Sequence, residues 1–170
     1  MPTVEEIIQA LHLEPLPEEG GLFRQTYRAE ESIPREALPA RYPSARRFSA
    51  AIYYLLTDDP DSFSALHKLP TDEIYHFYSG DPVELLLLHP AGRGERVMLG
   101  PDFLHGQQVQ FVVPRGVWQG SRLLPGGRYA LMGTTMAPGY DDSDYTGGRR
   151  AELAAQYPPW AEWIEKLTRG

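Results

Sequence analysis

Apolar and polar residues along this chain fall into short runs, several alternating with period two and each closed by turn-forming residues. The run LFRQTYR (22–28) sets Leu22, Arg24 and Thr26 against Phe23, Gln25 and Tyr27, the two faces of a strand. Eight more runs follow: FSAAIYYLL (48–56), FSALHKL (63–69), EIYHFYS (73–79), VELLLLH (83–89), ERVMLG (95–100), QVQFVVP (108–114), VWQGSRL (117–123) and RYALMGTTM (128–136). Between them stand turn sequences such as Thr57-Asp58-Asp59-Pro60, Gly80-Asp81-Pro82 and Pro125-Gly126-Gly127. Short strands at this spacing predict an all-β barrel or double-sheet jelly roll.

The two ends carry helical patterns. Thr3-Val4-Glu5-Glu6 is a capping box ahead of the stripe Ile7, Ile8 and Leu11, which predicts a helix over 3–13 stopped by Pro15 and Pro17. The tail AELAAQYPPWAEWIEKLT reads as helix on either side of Pro158-Pro159, with Trp160, Ile164 and Leu167 on one face. The segment from Ala29 to Arg47 is polar and proline-punctuated, and reads as a loop with its arginines in solvent. No internal repeat interrupts this order. The expected organisation is one domain over 1–170: the N-terminal helix, a barrel over about 22–136, and a C-terminal tail and helix over 149–168.

Composition narrows the chemistry. The 170 residues suffice for one sizeable core and include no cysteine, so disulfides, thiolate nucleophiles and thiolate metal sites are excluded. Any metal would need His and carboxylate ligands. The net charge is -7 and the basic residues form no stripe, which argues against nucleic acid as a partner. Acidic residues stand where a signal peptide would be basic, and no apolar run reaches the ~18 residues of a membrane span. The expectation is a soluble, cytoplasmic protein with a small-molecule partner and no membrane association.

The most informative stretch is LHKLPTDEIYHFYSG (66–80). Strand parity puts Ala65, His67 and Leu69 on one face, and Glu73, Tyr75, Phe77 and Ser79 on one face of the next strand, with His76 and Tyr78 pointing the other way. Read as a hairpin about Pro70-Thr71-Asp72, the pair of strands brings His67 and Glu73 into one interior. His12, His89 and His105 have no partner at ligand spacing and read as surface residues.

His67-x-Leu69, three residues, Glu73, six residues and Gly80 resembles the first cupin motif, where a His-x-His pair precedes the Glu and Gly. Pro114-Arg115-Gly116-Val117-Trp118-Gln119 is similar to the second motif, Pro-x-Gly-x-x-His. EEGGLFRQTYR, AIYYLLT, FSALHKLPTDEIYHFYSGDPVEL, FVVPRGVWQ, YALMGTTMAPGY and YPPWAEWIEKLT together resemble the DUF985 cupins, some of which carry the label of predicted sugar epimerases. Two positions depart from that family: Pro17 stands at its usual His, and Gln25 at its usual Glu.

The resemblance implies a single cupin jelly roll of RmlC-like type, commonly a homodimer, with a pocket between the sheets. In the general cupin pattern three histidines and a glutamate hold a divalent metal; this chain has Leu69 and Gln119 at two of those places. The expected cofactor state is therefore no metal, with His67, Glu73 and Gln119 as the ligands if one binds. A metal-free pocket with His67 as general base suits a sugar isomerase or epimerase, Glu73 assisting and Tyr75 or Tyr53 near the substrate. Gln119, Phe77 and Arg24 are the other ligand-contact candidates, Arg24 toward a phosphate or carboxylate. Two alternatives stand beside the isomerase: a metal-dependent enzyme with a weak His/Glu/Gln site, and a non-catalytic module for a sugar- or nucleotide-like ligand.

Overall fold

Helix α1 (Val4–Leu11) begins at the capping box: the Glu6 amide donates to Thr3 Oγ1 at 3.1 Å and the Thr3 amide to Glu6 Oε2 at 2.8 Å. The computed structural model describes residues 1–170. After the helix come strands β1 (Glu14–Pro15), β2 (Leu22–Arg28), β3 (Ser32–Ile33), β4 (Arg46–Arg47), β5 (Ala50–Thr57), β6 (Phe63–Lys68) and β7 (Glu73–Gly80). The chain continues through β8 (Val83–Leu88), β9 (Gly94–Leu99), β10 (Gln110–Val113), β11 (Trp118–Leu123), β12 (Tyr129–Met136) and β13 (Thr146–Gly147), then α2 (Arg150–Gln156) and α3 (Ala161–Lys166). All nine strands expected from patterning are present.

Two sheets face each other as a cupin-like jelly roll. The larger has the order β1-β2-β5-β12-β7-β10 and the smaller β13-β6-β11-β8-β9; β3 and β4 form a separate two-stranded ladder. The expected hairpin between β6 and β7 does not form. β6 pairs with β11 and β13 in the small sheet, and β7 with β12 and β10 in the large one. Pro70-Thr71-Asp72 is instead a crossover between sheets, so His67 and Glu73 belong to opposite walls.

Burial follows from this layering. Tyr54, Leu56, Tyr75, Leu85, Leu87 and Met132 belong to the cluster between the sheets. Leu86 and Leu88, the alternate residues of β8, join Leu66 with Leu153, Tyr157, Ile164 and Leu167 of the C-terminal helical segment. Covering on both faces explains why VELLLL is continuously apolar rather than alternating. On the outside of the large sheet, Ile7 and Leu13 pack with Leu55 and Tyr129.

The 29–47 segment departs from the solvated loop expected of it. Arg46 is 2 % exposed, and its Nη2 and Nε donate to the two carboxylate oxygens of buried Asp144 at 2.6 and 3.1 Å. Its Nη1 donates to the Ser44 and Ala45 carbonyls, and Tyr42 lies under the guanidinium at 5.5 Å. A buried fork-to-fork pair of this kind fixes the residues that carry it. Here it fastens the 137–147 segment, which arrives from β12, to β4. Removing one partner leaves a buried charge without compensation, so Asp144→Ala is expected to cost about 3–5 kcal/mol in urea unfolding. Arg149→Ala, which breaks an exposed pair with Glu152, should stay within about 0.5 kcal/mol.

Candidate functional site

A chamber of about 90 Å³ opens between the two sheets. Its walls are mainly apolar, with Leu16, Phe23, Ile52 and Leu69 among them, and its polar groups include Glu19, His67, Glu73 and Thr134. It leads into a wider mouth of about 670 Å³, with which it shares Leu16, Glu19, Phe23, Tyr140 and Tyr145. The inner space is smaller than the roughly 150 Å³ that accommodates a benzene ring. The chamber alone is too small for a whole ring, and the residues it shares with the mouth join the two spaces.

Each polar side chain has a local reason for its position. Glu19 precedes Gly20 and Gly21, whose φ values of 96° and 75° favour glycine. The Gly20 carbonyl accepts from Tyr54 Oη at 2.7 Å and the Glu19 carbonyl from the Ala65 amide at 2.8 Å, which pins this turn across both sheets. Ser64 Oγ then donates to Glu19 Oε1 at 2.8 Å. Strand β6 shifts register against β11 between the pairs Gln119–His67 and Ser121–Ser64. This irregularity lets Ser64, three residues from His67, back the chamber by holding Glu19, while Ala65 packs toward the C-terminal helices.

His67 is 2 % exposed, and its Nδ1 lies 2.8 Å from the Ala65 carbonyl. A carbonyl only accepts, so Nδ1 carries a proton, and in the neutral imidazole the lone pair is on Nε2, toward the chamber. The nearest carboxylate to Nε2 is Glu19 Oε1 at 3.9 Å, beyond hydrogen-bond reach. The imidazole lies nearly parallel to the Tyr145 ring, with centroids 5.2 Å apart. Tyr145 and Tyr140 come from the segment fastened by Arg46 and Asp144, so the ion pair positions two walls of the site.

Glu73 is buried on the opposite wall. Gln119, 1 % exposed, spans the sheets: its Nε2 donates to Glu73 Oε2 at 2.9 Å and its Oε1 accepts from Tyr75 Oη at 2.9 Å. Burial pushes the Glu73 carboxyl above its ordinary range, and the charge of Glu19 pushes the same way; His67 and hydrogen bonds from Thr134 and Gln119 pull against them. Burial, with the charges of Glu73 and Glu19, holds the Tyr75 hydroxyl well above the usual phenol range. Tyr140 and Tyr145 are raised too, first by burial and then by neighbouring acidic groups that include Glu19, so both remain hydrogen-bond donors.

The cupin metal set does not fit these residues. Leu69 presents hydrocarbon to the chamber, and the Gln119 oxygen that would ligate is occupied by Tyr75. No group of three or more His, Asp or Glu side chains is arranged to hold a metal ion. The remaining donors, one imidazole and separated carboxylates, fall short of a three-ligand centre.

His67, Glu73 and Gln119 are thus brought to the chamber or its floor, but other expected contacts lie elsewhere. Tyr75 sits beneath the chamber with its hydroxyl committed to Gln119. Phe77 packs against the core cluster between the sheets. Tyr53 faces the opposite side of β5, among the residues around α1 and edge-on to Tyr78 at 6.2 Å. Arg24 turns outward as well, donating from Nη1 to the Leu11 carbonyl at the end of α1 at 3.2 Å. Its neighbours Phe23 and Gln25 are the ones that line the chamber. Glu19, Tyr140 and Tyr145 enter the site without a signal in strand parity, because a turn and a loop deliver them, and Ser64 supports Glu19 from behind.

Residues 5–147 match the family described as Cupin superfamily (DUF985). The uncharacterized protein YML079W of Saccharomyces cerevisiae is 33% identical over 138 residues, covering 75% of this chain and 67% of the yeast protein. The crystal structure of protein SO0799 from Shewanella oneidensis superposes with a TM-score of 0.84 at 31% identity, covering 99% of each chain. A hypothetical protein from Leishmania major gives a TM-score of 0.86 at 28% identity, covering 99% of this chain and 100% of that one. Motifs, fold and comparisons agree, and this chain belongs to the DUF985 family of the cupin superfamily.

Proposed function

We propose that the chain is a metal-independent isomerase or epimerase of a small carbonyl compound, with His67 as its general base. The observation that carries this reading is the buried imidazole whose Nδ1 is fixed by the Ala65 carbonyl and whose Nε2 is free in the chamber. Such a nitrogen can take a proton from a carbon next to a carbonyl, leaving the electron pair on the carbonyl oxygen as an enediolate. Return of the proton to the neighbouring carbon, with the hydroxyl proton passing to the former carbonyl oxygen, gives an isomer; delivery of a proton by a second donor on the face opposite His67, which keeps the proton it took, gives an epimer. The protonated hydroxyls of Tyr140 and Tyr145 are the donors available to the oxygen. Glu73, tied down by Gln119, holds negative charge on the wall opposite the base and favours the imidazolium that forms.

The other two readings have less support. Leu69 in the chamber wall and the Gln119 oxygen engaged by Tyr75 speak against a metal-dependent enzyme. A nucleotide-like ligand carries phosphates, yet neither Lys nor Arg lines the chamber or the mouth. A neutral sugar bound without turnover remains the comparison that experiment must separate from catalysis.

In D2O, the protein should exchange the proton next to the carbonyl of small aldoses or ketoses for deuterium, followed by proton NMR. His67→Ala is expected to lower that exchange by about 10²-fold or more, the usual contribution of a general base, with an unchanged circular dichroism spectrum. Exchange that persists in the folded variant would contradict the assignment. Protein prepared without a histidine tag should carry sub-stoichiometric metal by elemental analysis and keep its exchange rate after chelation.

A further inference from the structure

The charges around the chamber are one-sided. Glu19 and Glu73 line it, and Glu14, Glu18 and Asp142 join Glu19 around the mouth. No Lys or Arg faces either space. A second observation is independent of this acidity: the His67 side chain is 2 % exposed, and its Nε2 has no hydrogen-bond partner although it opens into the chamber. Glu19 and Glu73 each accept one hydrogen bond, from Ser64 and Gln119, and with His67 Nε2 they keep acceptor capacity for a donor that enters.

Desolvated carboxylates without a counter-ion are costly, and the cost falls when a cation with several N–H donors takes the place of water. A primary ammonium supplies one charge and three donors in a compact head, small enough for a space that excludes a whole ring. Phe23, Tyr140 and Tyr145 line both spaces, and aromatic rings attract a positive charge that meets their faces. An anionic substrate would meet repulsion from all five carboxylates.

We propose that the substrate or ligand of this site bears a protonated amine, seated between Glu19 and Glu73, with the rest of the molecule in the mouth. The substrate class is then a small amino-carbonyl compound, such as an amino sugar, rather than a neutral or phosphorylated one. This rests on the reading of the chamber as the reaction site, but only the charge preference is new. The ammonium occupies the carboxylate side, which leaves His67 Nε2 for a neighbouring carbon.

Ligand-observed NMR on the full chain tests this with a panel of small primary amines, including 2-amino-2-deoxyglucose, alongside their N-acetyl derivatives, the neutral parent sugars and the matching sugar acids. The amines should bind roughly tenfold or more tightly than their N-acetyl partners, the scale of a charge-assisted hydrogen bond. Glu19→Gln, which keeps the side-chain shape, should erase that preference in a protein of unchanged thermal stability. Equal binding of amines and neutral parents, or no binding of any amine in the panel, would overturn the proposal. The same samples in D2O separate the two ideas. Exchange of neutral sugars without amine preference leaves the base and removes the charge preference. Amine preference without His67-dependent exchange does the reverse.

Discussion

The site depends on one amide. Gln119 lies on β11 of the smaller sheet and reaches across the apolar interior to Tyr75 and Glu73 on β7 of the larger one. Both ends of the amide are used, so a buried phenol and a buried carboxyl each have a partner. Fully paired, such a network fixes the relative position of the two walls; half paired, it would cost more than an apolar core. In the cupin pattern of three histidines and a glutamate, a metal ion makes this connection between walls. A neutral amide makes it here, and the carboxylate therefore stays without a compensating cation.

Around this floor the fold places its other groups by separate devices. Glu19 is held by a two-glycine turn anchored to both sheets, and Tyr140 and Tyr145 by a segment that the Arg46–Asp144 pair fastens to β4. His67 receives its tautomer from a main-chain carbonyl rather than a carboxylate. No Lys or Arg lines the chamber or the mouth; Arg169 meets this side only from behind, donating to the Glu19 carbonyl.

Much of this was legible in the sequence. Patterning shows the nine principal strands and the terminal helices, and the resemblance to the two cupin motifs groups His67, Glu73 and Gln119. The strand partners were not legible, because a three-residue link such as Pro70-Thr71-Asp72 serves a hairpin and a sheet-to-sheet crossover equally well. Parity also fails wherever the register shifts, which is how Ser64, three residues before His67, comes to hold Glu19. Tyr53 was open to either face until α1 was seen to cover the outside of β5. Arg46 looked solvated because its partner, Asp144, lies 98 residues away in sequence. Long-range pairing of two polar residues leaves no local trace.

The central claim is that Glu73 is kept buried and hydrogen-bonded at a cost to stability, for the sake of the site. A carboxyl whose native pKa is raised binds its proton more tightly in the folded state. Its contribution to stability is complete below the unfolded carboxylate range and is lost as pH rises through the raised native value. Glu73→Gln keeps an acceptor for the Gln119 amide and cannot ionise. Thermal unfolding of parent and variant from about pH 4 to about pH 8 is the direct measurement. The account predicts a variant more stable than the parent at the upper end, by about 2–4 °C for each kcal/mol relieved, with the two converging in acid. A variant less stable than the parent at the upper end, or a difference independent of pH, would contradict it.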